Sequence, residues 1–242
     1  MNSATSNTSN TTHDRPYRYY DFLMVAFVTS LLCANLINPA KLTEVFGLKL
    51  DVGILFFPVT YLFGDILTEV YGYAKARRVI WIGLFMCAFG ALNATLVVLL
   101  PPAPDWHDQQ AYEIVFGTTW RIMLASLSAY WIGEMMNAYV LAKIKVMMDG
   151  KLLFVRTIGS TIVGEGFDSV IFYHVAFFGI WEYDILWQII AANYFAKVLW
   201  EVAATPITYK VINFLKRAEN EDYYDKNTNF SPFVIKKEAH SV

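Results

Sequence analysis

Acidic side chains recur inside apolar segments of this 242-residue chain, where they could bind a polar ligand or carry protons. The run at residues 159–177, GSTIVGEGFDSVIFYHVAF, is apolar enough to cross a membrane yet contains Glu165, Asp168 and His174. Similar runs contain the other polar candidates: Asp65, Glu69, Glu134, Glu201, Arg121, Lys197, Asn35, Asn93, Asn137, Gln188 and Asn193. Each ionisable group at a bilayer centre costs about 3 kcal/mol on insertion scales. The six carboxylates therefore need partners or a hydrated internal site.

The spacing of these residues favours one internal site. Residues three or four apart share a helix face. The pairs or series with this spacing are Asp65 and Glu69, Glu134 and Asn137, Glu165 and Asp168, and Asn193, Lys197 and Glu201. Structural hydrogen bonds between helices are the alternative for any single residue. Polar stripes on four different segments favour a shared polar interior instead.

Three of the stripes begin with glycine, in GDILTE at 64–69, GEMMNA at 133–138 and GEGFDS at 164–169. In each, an acid follows the glycine, and a polar residue comes three positions after the acid. Glycine lets two helices approach closely, so the acid is expected to point into the gap. The first and third motifs are 100 positions apart, which predicts two inverted three-helix halves with a site between them.

The elements that must position these residues are membrane-spanning helices. The chain is 56% hydrophobic and 17% aromatic, which is typical of an integral membrane protein. Six segments approach the roughly 20 residues that a bilayer core requires. They are 21–38, 52–72, 78–100, 114–142, 154–178 and 186–214. We therefore predict an all-α, polytopic fold with six transmembrane helices and a possible 3+3 inverted repeat.

The charges outside these segments and near their ends predict the topology. Fifteen Lys and Arg residues lie on one side, against Lys41 and Lys49 on the other, so both termini are expected in the cytoplasm. The predicted organisation is a disordered cytoplasmic tail at 1–18, a six-helix transmembrane domain at 19–215 and a cytoplasmic tail at 216–242. The net charge of −2 gives no electrostatic case for a nucleic-acid partner, so the expected partners are the bilayer and a small molecule.

The sequence does not favour an enzyme. His174 lies six positions after Asp168 and nine after Glu165, on a different helix face, so no metal site is expected. No nucleophile with a base is evident, and no cofactor is predicted. An aspartyl mechanism through Asp65 and Asp168 is left open by spacing, but its usual flanking motifs are absent.

Three motifs carry a resemblance to a known family. FPVTYLFGDILTEVYGY at 57–73, GEGFDS at 164–169 and NYFAKVLWEVAATPITY at 193–209 resemble the queuosine precursor transporters of bacterial inner membranes, also called vitamin uptake transporters. The resemblance extends over residues 20–215. It implies import of 7-cyano-7-deazaguanine, or its 7-aminomethyl relative, for salvage into the tRNA nucleoside queuosine.

The residue types suit that ligand. A guanine-like edge offers two donors that one carboxylate can accept, its carbonyl needs a donor, and its face can stack on an aromatic ring. Glu165 or Glu134 is expected to accept the donor pair. Asn137, Asn35 or Lys197 is expected to meet the carbonyl, and Asp168 or Asp65 to serve proton coupling or site shaping. Glu69, Arg121 and Glu201 are expected in coupling or structural pairing, with charge neutralisation as the alternative to a substrate contact for Arg121 and Lys197.

The alternative function is a substrate-binding S-type subunit of an energy-coupling factor transporter for a heterocyclic, vitamin-like molecule. Such subunits often dock through Ala-xxx-Ala on the first helix. The first segment here lacks that pattern, whereas ASLSA and AYVLA lie in the fourth. No Walker motif is present, so the chain itself is not expected to hydrolyse ATP.

Overall fold

The computed structural model describes residues 17–37, 42–45, 48–51, 53–117, 120–180 and 182–234. Its α-helices are α1 Tyr20–Leu32, α2 Gly53–Tyr71, α3 Tyr73–Leu99, α4 Gln109–Phe116, α5 Trp120–Met147, α6 Leu153–Phe177 and α7 Tyr183–Glu219. A π-helical stretch, Cys33–Ile37, extends α1. The predicted helical class is confirmed, and five of the six predicted segments each correspond to one helix: α1 with its π-helical extension, α2, α3, α6 and α7. The fourth segment differs, because α4 ends before Gly117 and α5 begins only at Trp120.

A short hairpin departs from the all-α prediction. Strand β1, Leu42–Val45, pairs antiparallel with β2, Leu48–Asp51, and Leu42 lies opposite Asp51. Only two residues separate the strands, which is the length of a tight hairpin connection. Each strand has four residues, and both lie between α1 and α2, outside the predicted membrane segments.

The long helices alternate in direction. The start of α1 meets the end of α7, where the Tyr19 amide donates to Glu219 Oε1 at 2.6 Å. The Tyr20 hydroxyl donates to the Lys75 carbonyl at 3.2 Å, so the α2–α3 turn lies at the same end. Arg156, near the start of α6, donates to Glu69 near the end of α2. We call this end of the bundle the basic end, because Lys75, Lys145, Arg156 and Lys216 all lie there.

The interior of the bundle combines an apolar core with many buried polar groups, and apolar side chains also cover much of its surface. Buried side chains include ten or more charged or hydroxyl groups, whereas large apolar side chains are exposed along the helices, for example Phe89 at 60%, Phe195 at 68% and Leu199 at 69%. Exposed apolar patches of this extent are typical of surfaces that contact lipid or protein. By length and composition, one helix in the described part of the chain, Tyr73–Leu99, is long and apolar enough to cross a membrane.

The segment after α7, residues 220–234, packs back onto the basic end, and we call it the C-terminal strap. The Asp225 carboxylate accepts from the Tyr73 amide at the start of α3. Arg77 donates to the carbonyls of Asn229 and Ser231 at 2.7 Å each, and Trp81 donates to the Pro232 carbonyl at 2.8 Å. Much of the predicted tail at 216–242 is thus a structured part of the bundle. Residues 1–16 and 235–242 of the two predicted tails lie outside the described residues.

Candidate functional site

The predicted glycines bring the helices into close contact. A Cβ at Gly133 would lie 2.6 Å from Tyr61 Oη and 3.1 Å from the Gly164 carbonyl oxygen. A Cβ at Gly164 would lie 2.7 Å from Asn137 Cβ and 3.0 Å from the Gly133 carbonyl oxygen. A Cβ at Gly64 would lie 2.6 Å from Glu134 Oε2. The expected close approach at glycine is confirmed, and it sets acids from α2, α5 and α6 side by side.

Five acids and one cation gather where these helices meet α7. We call them the acidic cluster, which consists of Asp65, Glu134, Glu165, Asp168, Glu201 and Lys197. The five acids are no more than 3% exposed. Each predicted stripe on α2, α5, α6 and α7 therefore contributes at least one residue to one buried polar region, whereas Glu69 pairs elsewhere and Asn193 donates to the Ile189 carbonyl of its own helix.

Lys197 pairs with the two acids of α6. Its Nζ donates to Asp168 Oδ2 at 2.6 Å and lies 3.0 Å from Glu165 Oε2. The same ammonium lies 4.6 Å from the centroid of the Phe57 ring, within the range of a cation–π contact. Lys197 thus links α7 to α6 and α2.

Two further acids are held by neutral donors. Asn137 Nδ2 donates to Asp65 Oδ1 at 2.8 Å. Thr161 Oγ1 donates to Glu201 Oε1 at 2.5 Å. These bonds fix the orientation of both carboxyl groups but leave one oxygen of each, Asp65 Oδ2 and Glu201 Oε2, without such a donor.

Glu134 is the least satisfied member of the cluster. It is fully buried, and neither carboxylate oxygen has a hydrogen-bond partner among the described residues. Tyr61 Oη, Ser169 Oγ and Asn137 Oδ1 are also buried without a partner there. An unsatisfied buried donor or acceptor costs about 1–3 kcal/mol, so such groups gather where a ligand or water supplies the missing bonds. The cluster offers both acceptors and hydroxyl donors to a polar molecule.

Other predicted residues lie outside the cluster. Asn35 donates to the Leu31 carbonyl and accepts from Ser126 Oγ. Arg121 donates to the carbonyls of Val175 and Phe178 at 2.6 Å each. The Arg121 contacts satisfy the last carbonyls of α6, so the structure gives this guanidinium a helix-capping role and no carboxylate partner among the described residues.

Glu69 lies one turn from Asp65 but belongs to a separate group at the basic end. Arg156 donates to both of its carboxylate oxygens at 2.8 and 2.7 Å. Lys216 Nζ donates to Glu69 Oε1 at 2.5 Å, and Lys145 Nζ lies 3.4 Å from that atom. Asp222 of the strap accepts from Lys145 and Lys216 at 2.6 and 2.8 Å. We call these five residues the Glu69 hub.

His174 also lies apart from the acids. Its Nδ1 contacts the Val170 carbonyl at 2.8 Å, and its ring packs edge-on against Tyr183 and Trp187. Within the described ranges, no group of three or more His, Cys, Asp or Glu side chains could hold a metal ion.

Sequence reasoning missed several members of the site. Thr161 and Tyr61 each bring a buried hydroxyl to the acids, and Ser169 has a buried hydroxyl one helical turn after Glu165. Helical spacing was the available signal, since Tyr61 precedes Asp65 by four positions and Thr161 precedes Glu165 by four. The hub cations were counted among the charges at the segment ends. The structure shows that their long side chains reach inward from the helix ends to Glu69.

Comparisons with known proteins now identify the family. A family model described as "Putative vitamin uptake transporter" matches residues 51–211. The chain belongs to the vitamin uptake transporter family. The match to the vitamin uptake transporters includes the whole acidic cluster, from Asp65 to Glu201.

Two curated proteins with sequence similarity to this vitamin uptake transporter carry the name "Probable queuosine precursor transporter". One, from Bacillus subtilis (strain 168), is 33% identical over 189 residues, which cover 78% of this chain and 81% of the relative. The other, from Haemophilus influenzae (strain ATCC 51907 / DSM 11121 / KW20 / Rd), is 21% identical over 126 residues, which cover 52% of this chain and 51% of the relative. No solved structure matches this vitamin uptake transporter.

Proposed function

We propose that this protein imports a queuosine precursor, 7-cyano-7-deazaguanine or its 7-aminomethyl relative, across the bacterial inner membrane for queuosine salvage. The observation that carries the proposal is the buried acidic cluster, in which the Glu134 carboxylate has no hydrogen-bond partner in the described chain. The family and the printed names of the relatives support a transport role. A transported ligand can supply the hydrogen-bond donors that these buried acids lack.

The membrane topology proposed for this function has six transmembrane helices, α1, α2, α3, α5, α6 and α7, with both chain ends in the cytoplasm. The alternating helix directions and the cations of the basic end support it, because Lys and Arg are enriched on the cytoplasmic side of membrane proteins. The apolar side chains exposed along α3 and α7 are suited to lipid contact. Under this proposal α1–α3 and α5–α7 form inverted halves, and the cluster lies between them.

The ligand contacts follow from which groups are free. The Glu134 carboxylate can accept the ring N–H and the exocyclic amine of a guanine-like edge together. The hydroxyls of Tyr61 and Ser169 can donate to the ligand carbonyl or nitrile. Asn137 Nδ2 and Lys197 already donate to Asp65 and Asp168, so Tyr61 is better placed than either for the carbonyl.

Transport through this site requires helix movement. Glu134, Glu165 and Asp65 are at most 1% exposed, so the structure has a closed interior. In the proposed cycle the halves part on one side and then on the other, so that the ligand meets the cluster from outside and leaves inside. Burial in the closed state strengthens each charged hydrogen bond to the ligand.

Uptake by whole cells tests this function. Cells that cannot synthesise 7-cyano-7-deazaguanine should accumulate the labelled compound when they express this chain alone. Glu134→Gln should lower uptake about 10- to 100-fold, because one charged hydrogen bond contributes about 1.5–3 kcal/mol. Glu182→Gln is the matched control, since Glu182 is exposed and has no side-chain cap hydrogen bond.

Three outcomes of the uptake experiment would contradict parts of this proposal. The absence of uptake with the protein present in the membrane would overturn the proposed ligand. Full uptake by Glu134→Gln would remove Glu134 from the site. Uptake that appears only after an energy-coupling ATPase module is supplied would favour the alternative, an S-type binding subunit.

A further inference from the structure

The acidic cluster holds more negative groups than its cation can neutralise. Lys197 pairs with Glu165 and Asp168, both on α6. This leaves three buried acids that form no ion pair among the described residues: Asp65 on α2, Glu134 on α5 and Glu201 on α7. Separate buried negative charges of this kind are costly, and protonation removes that cost.

Asp65 on α2 and Glu201 on α7 are neighbouring acids of the cluster, where α2 packs against α7. We call them the Asp65–Glu201 pair. One oxygen of each carboxyl group accepts from a neutral donor, Asn137 Nδ2 at 2.8 Å and Thr161 Oγ1 at 2.5 Å. The other oxygens, Asp65 Oδ2 and Glu201 Oε2, are buried and have no hydrogen-bond partner in the described chain. Neighbouring carboxyl groups that are buried without a cation are stabilised by holding one proton between them, because the proton removes one negative charge and provides a donor for a free oxygen.

The surrounding groups fit a proton better than a metal cation. The groups that face the pair are Tyr61 and Glu69 from α2, Glu134 and Asn137 from α5, and Thr161 and Glu165 from α6. An amide NH₂ and a hydroxyl donate to the pair, so donor hydrogens point at oxygens that a cation would need. The shared proton needs no further ligands.

We propose that Asp65 and Glu201 form a proton-binding site, distinct from the ligand contact at Glu134, that couples uptake to the proton gradient. The pair takes up one proton from the outside while the site is open to that side, and it holds the proton while α2 and α7 are in contact. When the cytoplasmic side opens and water reaches the pair from there, the carboxyl groups separate and the proton leaves to the cytoplasm. The inference rests on the proposed transport function and adds its coupling ion.

The Glu69 hub supplies the trigger for this release. Lys216 on α7 donates to Glu69 on α2 at 2.5 Å, and Asp65 lies one helical turn from Glu69 on the same face. Opening at the basic end must break this contact between α2 and α7. The same movement would then hydrate the Asp65–Glu201 pair, so proton release follows opening of the cytoplasmic side.

The test uses the purified full chain in liposomes that contain a pH-sensitive dye, with labelled 7-cyano-7-deazaguanine as the probe. Counterflow, the exchange of labelled for unlabelled compound without a gradient, reports ligand transport alone. An imposed proton gradient reports coupled accumulation. The wild-type protein should perform counterflow. When protons can flow into the lumen down their gradient, it should accumulate the compound there and acidify the lumen as the compound enters.

Glu201→Gln should lower the ratio of accumulation to counterflow at least tenfold and abolish lumen acidification. Asp65→Asn should have the same effect, and it serves as the second variant where Glu201→Gln does not fold. The matched control, Glu182→Gln, should resemble the wild type. A wild-type protein that exchanges the compound without moving protons would overturn the proton site, as would accumulation driven by a sodium gradient instead. A wild-type protein without counterflow would count against the proposed function itself.

Discussion

At the scale of single residues, the site is defined by hydrogen bonds that are missing. Glu134, Tyr61 and Ser169 are buried, and their oxygens have no partners in the described chain, whereas the neighbouring Asp65 and Asp168 are partly satisfied. The difference has a chemical reason. Groups that position the site need partners inside the protein, whereas groups that bind ligand must remain free. Tyr61 is the neutral donor best suited to test this distinction.

Tyr61→Phe should weaken transport without disturbing the bundle. The ring is fully buried and stays in place, but the hydroxyl available to the ligand is lost. A neutral hydrogen bond contributes about 0.5–1.5 kcal/mol, so we expect about a 2- to 13-fold rise in KM for uptake. The free energy of unfolding should change little. Tyr112→Phe on α4 is the control, since its ring is 37% exposed and it packs only against Trp106 and Phe116 among described aromatic rings. An unchanged KM in Tyr61→Phe would assign the hydroxyl to packing alone.

At the scale of elements, the close crossing of α5 and α6 positions the cluster. Gly133 and Gly164 face each other there. A Cβ added at Gly133 would lie 3.1 Å from the Gly164 carbonyl oxygen, and one added at Gly164 would lie 3.0 Å from the Gly133 carbonyl oxygen. A backbone atom cannot rotate away as a long side chain can. The spacing of Glu134, Glu165 and their partners therefore depends on the absence of side chains at two positions.

Gly164→Ala should destabilise the protein, because the new methyl group would lie 2.7 Å from Asn137 Cβ. Overpacking costs about 1–3 kcal/mol, which corresponds to a fall in Tm of about 2–12 °C for a chain of this size. Gly166→Ala on the same helix is the matched control, since its Cβ would come only within 3.8 Å of Tyr194 Cε2. Thermal unfolding in detergent measures both variants. Equal Tm values for the two would contradict a tight crossing at Gly164.

Helical spacing predicted the elements well but not the partners of each side chain. The stripes through Asp65, Glu134, Glu165 and Glu201 follow from local periodicity, and they do converge. Arg121 illustrates the limit, because its partners, the carbonyls of Val175 and Phe178, are more than fifty positions away. Which cation meets which acid depends on the order and tilt of packed helices, and a single sequence does not encode that in any local pattern.

At the scale of the whole molecule, the Glu69 hub and the C-terminal strap join α2 and α3 to α5, α6 and α7 at the basic end. Glu69 of α2 contacts cations from α5, α6 and α7, and Asp222 links two of them to the strap. Partial burial would raise the pKa of the Asp222 carboxyl, but hydrogen bonds from Lys145 and Lys216 outweigh it and hold that pKa below its usual range. The stabilisation from Asp222 is therefore present above the ordinary carboxyl pKa and is lost as pH falls through the lowered value.

Glu69→Gln should destabilise the bundle far more than Asp222→Asn. Glu69 is fully buried, so its neutralisation leaves Arg156 and Lys145 without their buried counter-charge, which costs about 3–5 kcal/mol. Asp222 is 42% exposed, and water can replace much of what it supplies. Tm measurements on both variants at neutral pH test the difference, and the Asp222→Asn deficit should disappear in strong acid, where the wild-type carboxyl is itself protonated. Equal Tm losses would show that the hub is hydrated throughout, and opening of the basic end would then need little energy.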